Sequence, residues 1–473
     1  MDSMHLPATQ KIFEPAHGRE LSLGQEALWF LQQLAPGSGA YNTATALNLH
    51  FAVDATMLES AVQRLVSGHA VLNCVFRSVG GEVRRYPCGT AGIDSVLEVH
   101  ELSHGDLATR EFAAELARHP FELDRRPPLR IALLRRKSYP DILLVAAHHI
   151  AVDNVSQRLL LREILSVYAA LAAEAEYAIA DTGADFDQFV IEQRRFLESP
   201  RAIAAQRYWR GELESVPPGN GLPTDHPRPA VYQFAGAEIE FALPRDLVAG
   251  VEEAASALNT TAFAYLFSVF QLLLYTFGGH TDFVVGYNAT LRSSRRFRES
   301  IGFFVNTLPF HARVDPDGSF GTLLRRTVDK LWRALMYRDY PFALMPRLID
   351  VRRDPGQAGL ISVMFVMLGA DRADQSSATP APGHRVEHAG LVVSELYLPQ
   401  QQGQFDLTLQ VSRHDPDMTA TLKYNTSLFT AETARGLARE FTALLTDAVG
   451  GGLPPRLGDL HVRYTDNHKE MRV

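Results

Sequence analysis

Residues 148–154 read His-His-Ile-Ala-Val-Asp-Asn and follow directly on the apolar run Ile142-Leu143-Leu144-Val145-Ala146-Ala147. Two imidazoles, a carboxylate and an amide thus appear where a buried strand ends. A continuous apolar run of this length suits a strand covered on both faces, and chemistry is often mounted on the loop that follows one. An imidazole with an ordinary pKa of ~6.5 can accept a proton near neutral pH. Successive residues leaving a strand point to opposite sides, so at most one of His148 and His149 should face a given cavity. Taken alone, a His-His pair is ordinary strand-end packing. Asp153, four residues after His149, adds a carboxylate able to fix the loop or the ring.

The spacing resembles the HHxxxDG signature of nonribosomal peptide synthetase condensation domains and related acyltransferases, and further matches follow in order along the chain. Leu21-Ser22-Leu23-Gly24-Gln25-Glu26-Ala27-Leu28-Trp29-Phe30-Leu31 with Ala40-Tyr41-Asn42 is similar to the family's opening motif. Pro120-Phe121-Glu122-Leu123, Pro128-Leu129-Arg130, Tyr208-Trp209-Arg210 and Leu222-Pro223-Thr224-Asp225 resemble later ones. Asp282 to Gly286, Arg292 and Ile301 to Pro309 resemble the fifth motif, and Val363 to Val366, Phe405 to Leu409 and Leu428-Phe429 complete the series.

The resemblance implies two chloramphenicol-acetyltransferase-like lobes of mixed α/β (α+β) structure, packed in a V as a pseudo-dimer with an active-site tunnel between them. It implies acyl transfer from the phosphopantetheine thioester of a carrier protein to an amine or hydroxyl, giving an amide or ester. No cofactor would be bound, because the substrate arrives activated on a separate carrier protein. His149 is then the tunnel-facing residue, as a general base or as a positioning donor or acceptor, two roles that stay open here. His148 and Asp153 become structural, with Arg292 as the counter-charge for Asp153. Arg292, Arg295, Arg296 and Arg298 crowd seven residues of an otherwise acidic chain. The last three read either as a solvated turn or as a docking patch for an acyl or peptidyl carrier protein. The acceptor could be carrier-bound or a free small molecule, and a chain-releasing role is compatible with the pattern. Two rival classes share the signature: a non-catalytic recruitment module and a coenzyme-A-dependent acyltransferase of the wax-ester-synthase type.

Departures from the family pattern are informative. Asn154 stands where the signature ends in glycine; asparagine tolerates unusual φ better than most residues, and its side chain would narrow the tunnel or offer an amide to a substrate. Gly68-His69 and Leu72-Asn73 stand where Arg-His and Leu-Arg are usual, which leaves Arg292 as the cation for Asp153. Tyr337-Arg338 replaces a common His-Gln, and Leu291 replaces a glycine.

The elements that must position these residues follow from periodicity and punctuation. Helices are expected near 23–35, 54–69, 108–118 and 185–213, and strands near 43–51, 72–77, 82–86, 96–101, 129–136 and 141–148. Gln157 to Tyr177 is amphipathic, with Leu160, Ile164, Tyr168 and Leu171 on one face. Residues 1–20 form an N-terminal extension, 21–178 a lobe carrying the histidine motif, 179–200 an inter-lobe linker that opens in the polar stretch Ala178–Ala184, and 201–473 a second lobe. Asp371 to His384 reads as a surface loop.

At 473 residues the chain is long for one compact core, and two lobes of ~200 residues fit better. Cys74 and Cys88 offer neither a disulfide framework nor metal-ligand spacing. A net charge of −8 argues against nucleic acid as a partner. Thr261 to Phe277 has no charged residue, yet falls short of the ~20 apolar residues of a membrane span and is bounded by N-capping threonines and Gly278-Gly279, as a buried core helix would be. Met1 to Gln10 lacks the apolar core of a signal peptide, so a cytoplasmic enzyme is expected.

Overall fold

The computed structural model describes residues 18–89, 96–102, 106–137, 140–177, 185–217, 221–292, 294–349, 356–357, 359–369, 384–399, 403–414 and 417–460. In the first half these form α1 (Leu23–Leu34), β1 (Asn42–Leu49), α2 (Ala55–Gly68), β2 (Cys74–Val79), β3 (Glu82–Pro87), β4 (Leu97–Leu102), α3 (Asp106–Arg118), β5 (Leu129–Arg136), β6 (Asp141–His148) and α4 (Asn154–Ala172). Next come α5 (Phe186–Leu197), α6 (Pro200–Leu213), β7 (Gly236–Leu243), α7 (Arg245–Ala257), α8 (Ala262–Gly278), β8 (Asp282–Thr290), β9 (Val305–Arg313) and α9 (Phe320–Met336). The remaining elements are β10 (Val363–Leu368), β11 (Arg385–His388), β12 (Leu391–Leu396), β13 (Leu407–His414), β14 (Asp417–Asn425) and α10 (Ala431–Gly450).

Two six-stranded sheets organise the molecule, in the orders β11-β12-β1-β6-β5-β4 and β7-β14-β13-β10-β8-β9. Both are mixed: β4 runs parallel to β5, and β10 parallel to β8 and β13, among otherwise antiparallel pairs. The apolar run of β6 has the predicted cause. Ile142 and Leu144 pack with α3 alanines on one face, while Leu143 and Val145 pack with Leu58, Val62, Leu160 and Ile164 from α2 and α4 on the other. Removing each such side chain from water is worth roughly 1.5–3 kcal/mol, which fixes where the strand ends and so where the histidines emerge. The strand's last residue is His148.

The second lobe has the larger core. Its centre is α8, where Leu266, Phe267, Val269, Phe270, Leu272 and Leu273 are wholly buried, Thr261 caps the N-terminus, and Gly279 closes the C-terminus with φ 71°. This is the buried helix expected from sequence. Among the described residues no single helix is long and apolar enough to cross a membrane.

Three features depart from the sequence reading. The helix expected over 185–213 is two helices, because Ser199 is extended ahead of Pro200 and caps α6. The α5 part lies inside the expected linker but is docked: Phe186, Phe189 and Val190 belong to the first lobe's core. The expected boundary at 201 is crossed twice from the C-terminal side. The β11–β12 hairpin leaves the second lobe and pairs with β1, Ala46 opposite Leu396 and Leu49 opposite Val393. Leu291, Phe297, Ile301 and Phe304 likewise insert into the first lobe's core. The stretch Ala178–Ala184 and most of 371–384 lie outside the described residues.

Candidate active site

The turn after β6 is held by backbone bonds before any side chain acts. His148 N–H donates to Pro128 O at 2.9 Å, and His149 N–H donates to Tyr41 O at 2.8 Å. Gln25 of α1 donates to Ile150 O at 2.7 Å. The two rings then diverge, as the strand geometry requires. His148 is 1% exposed, lies near the Tyr41 and Phe121 rings, and accepts from Ile150 N–H through Nδ1 at 3.1 Å. Burial, reinforced by the neighbouring His149, pushes its pKa down to about 3, so it stays neutral and acts in the turn.

His149 instead lines a cavity of about 2160 Å³ built from both halves of the chain. Its Nδ1 lies 3.1 Å from Val152 O. A carbonyl oxygen can only accept, so Nδ1 carries the proton and Nε2 of the neutral ring is left with its lone pair. Burial lowers the pKa of His149, the Val152 bond and Asp153 raise it, and the Lys423 charge lowers it, with a net fall. The ring is therefore neutral and proton-accepting near pH 7. Phe303 stands edge-on at 6.2 Å.

Asp153 does not point at this chemistry. It is 1% exposed and caps α4 by accepting from Ser156 N–H at 2.7 Å. Its carboxylate takes Arg292 Nη2 at 2.9 and 3.2 Å and Phe304 N–H at 3.1 Å. Arg292 also donates to Phe297 O at 2.7 Å, Ser300 O at 2.6 Å and Ser156 Oγ at 2.7 Å, and its guanidinium lies 4.2 Å from the Phe304 ring centre. Burial alone would raise the Asp153 pKa, but the Arg292 charge and the Ser156 and Arg292 hydrogen bonds bring it below the usual carboxylate value. The 291–304 segment thus plugs into the first lobe and clamps the histidine turn. Gly302 is required at this seam: a Cβ there would sit 2.1 Å from the Phe186 ring. Asn73, at the position where the family usually carries arginine, has its Oδ1 buried without a hydrogen bond and takes no part.

Asn154 is the first residue of α4, has ordinary helical backbone, and lines the cavity beside His149. The tolerance of asparagine for unusual φ is not called on, and the side chain borders the cavity instead. Of the arginine run, Arg292 turns inward, whereas Arg295, Arg296 and Arg298 are exposed. Arg296 pairs with Glu192 of α5.

Sequence reasoning missed one group. Glu238 and Glu240 on β7, Lys423 on β14, Glu395 on β12 and Tyr397 just beyond it line the same cavity as His149. On alternating strands such residues read as ordinary solvent-facing positions; only the pairing of β12 with β1 puts Glu395 inside. Among the described residues no group of three or more His, Cys, Asp or Glu side chains is arranged to hold a metal ion.

Against known proteins, residues 17–455 match the family model described as Condensation domain. The chain belongs to the condensation-domain family. It is 31% identical over 459 residues to phosphinothricin tripeptide synthetase PhsC of Streptomyces viridochromogenes, covering 96% of this chain and 41% of that protein. Identity is 27% over 431 residues to gramicidin S synthase 2 of Aneurinibacillus migulanus, covering 90% of this chain and 9% of the relative. The chain thus spans a minor part of these curated relatives. In fold it resembles the X-domain from teicoplanin biosynthesis (TM-score 0.82, 22% identity, 96% and 99% of the two chains) and the first condensation domain of the CDA synthetase (TM-score 0.73, 20% identity, 93% and 98%). The expected pair of acetyltransferase-like lobes is therefore present.

Proposed function

We propose that this chain is an acyltransferase of nonribosomal peptide or mixed peptide–polyketide biosynthesis, acting in the cytoplasm. It moves an acyl chain from the phosphopantetheine thioester of an acyl or peptidyl carrier protein to an amine or hydroxyl. The acceptor is carrier-bound or a free small molecule, and the product is an amide or an ester, released where the acceptor is free. The observation that carries this reading is His149: its Nδ1–H is committed to Val152 O, and its ring lines a cavity shared by both halves.

In the step itself, the acceptor nitrogen or oxygen attacks the thioester carbonyl while Nε2 of His149 takes its proton. The tetrahedral intermediate collapses, the C–S bond breaks, and the pantetheine sulfur leaves as the thiol with that proton. A positioned base contributes typically 10²–10⁴-fold, and holding two substrates together in one cavity can contribute as much or more. No covalent enzyme intermediate is needed. Asp153 and Arg292 hold the turn that aims His149, and Asn154 borders the space the substrates occupy. Arg295 and Arg298, exposed beside the α5 seam, would meet the carrier protein, whereas Arg296 is already engaged by Glu192.

The test is incubation with a panel of acyl-loaded carrier proteins and candidate acceptors, read by intact-protein and product mass spectrometry. Acceptor-dependent loss of acyl from the carrier with a matching amide or ester product supports the proposal. Transfer from coenzyme A thioesters alone would favour the wax-ester-synthase class, and binding without any transfer would favour a recruitment module.

A further inference from the structure

We propose that the cavity wall formed by β7, β12 and β14 is a subsite for a protonated amine borne by a substrate, with Glu240 and Glu395 as its seat and Lys423 holding a carbonyl oxygen of the same ligand. Antiparallel pairing sets Glu238 opposite Lys423 and Glu240 opposite Thr421. The hairpin that crosses from the second lobe brings Glu395 to them, and Tyr397 donates its hydroxyl to Glu238. All six side chains line the cavity that His149 lines.

The charges do not balance within the protein. Lys423 stands against Glu238, which also has the Tyr397 hydroxyl. Glu240, which the Tyr397 hydroxyl also reaches, and Glu395 are left, and among the described residues neither has a cation within salt-bridge distance. Burial first, and the Glu240 charge second, push Glu395 up to about 7. Glu240 is exposed at the rim, but charge partly withheld from water at Glu395 is unfavourable unless paired, and a ligand ammonium between the two carboxyls would pair it. Lys423 points independently to a ligand. It is desolvated enough for its pKa to fall, its charge is felt at His149, and among the described residues it has no hydrogen-bond partner. Its donors suit a carbonyl oxygen. An amine near an amide or thioester carbonyl is an aminoacyl-type group with a basic side chain. Calling this ligand a substrate rests on the acyl-transfer reading; the binding site does not.

The experiment is calorimetric binding of Nα-acetyl-L-lysinamide and Nα-acetyl-L-ornithinamide against Nα-acetyl-L-norleucinamide, which lacks the side-chain charge. The parent is expected to bind at least one cationic probe tenfold or more tighter than the neutral one. Glu240→Gln/Glu395→Gln should bring the probes within threefold of each other, and Lys423→Gln should weaken all three. A second arm needs no variant. The charge set against Glu395 is that of Glu240 from β7, with Glu238, Lys423 and Tyr397 lining the same cavity, so its ionisation should make the cationic preference grow several-fold from pH 6 to 8. Equal binding by the parent, a preference that survives in the folded double variant, or one that is flat with pH overturns the subsite. Because binding needs no turnover, a preserved preference alongside failed acyl transfer would refute the proposed reaction and leave the subsite standing.

Discussion

Asp153→Ala should damage the fold before it damages chemistry. The substitution removes the acceptor for Arg292 Nη2, for Phe304 N–H and for the Ser156 N–H cap of α4. Both partners of the ion pair are nearly inaccessible, with side-chain exposures of 6% for Arg292 and 2% for Asp153. Breaking a buried pair by deleting one side costs ~3–5 kcal/mol, because the other charge is stranded. Loss of an N-cap typically costs ~1 kcal/mol. The two losses share one carboxylate, and Arg292 keeps Phe297 O, Ser300 O and Ser156 Oγ, so ~3–5 kcal/mol is expected for the whole change rather than the sum. Asp153→Asn keeps one acceptor and should lose about half as much. The sign with pH follows from the depressed folded pKa. The contribution is fully present above the unfolded value of ~3.9 and disappears as pH falls through the lower folded value. The assay is urea unfolding followed by circular dichroism at pH 7 and pH 3, where the difference between parent and Asp153→Ala should shrink. An Asp153→Ala protein as stable as the parent but without acyl transfer would refute this reasoning and move Asp153 into the chemistry.

Other outcomes follow from the same geometry. Because His149 is held below its ordinary ~6.5 by burial, the acid limb of the transfer rate should lie below that value, and activity should be lost only as falling pH protonates the ring. His148→Ala should cost ~2 kcal/mol or more in unfolding measurements, since it empties a buried site and orphans Ile150 N–H. Asn154→Gly should cost no more than ~1 kcal/mol, because the position is helical, while changing the relative rates of bulky and small acceptors measured in competition. Reversing Arg295 and Arg298 to glutamate should weaken carrier-protein affinity at low salt and much less at high salt, measured by titration; unchanged affinity at low salt would leave these arginines as surface only.

The site was legible where one local signal carried the geometry. Six apolar residues buried on both faces of β6 fix the strand's end, and alternation then sends His148 inward and His149 to the cavity. The Arg292–Asp153 pair was legible because Asn73 removes the competing cation. What stayed hidden depends on pairings far apart in sequence. Nothing within residues 391–396 says that β12 will leave its own lobe for β1, and without that crossing Glu395 is one more polar residue on a strand. The break at Ser199-Pro200 was readable from the proline but was outweighed by the helical pattern on either side. Asn154 allowed a backbone or a side-chain role, and with ordinary helical backbone it is its side chain that borders the cavity.

The central claim is that His149 handles the proton of acyl transfer, and single-turnover transfer from an acyl-loaded carrier protein tests it most directly. His149→Ala, with its circular dichroism spectrum and unfolding midpoint matching the parent's, should transfer at least ~10²-fold more slowly than the parent. A correctly folded His149→Ala protein that transfers at the parent's rate would contradict it.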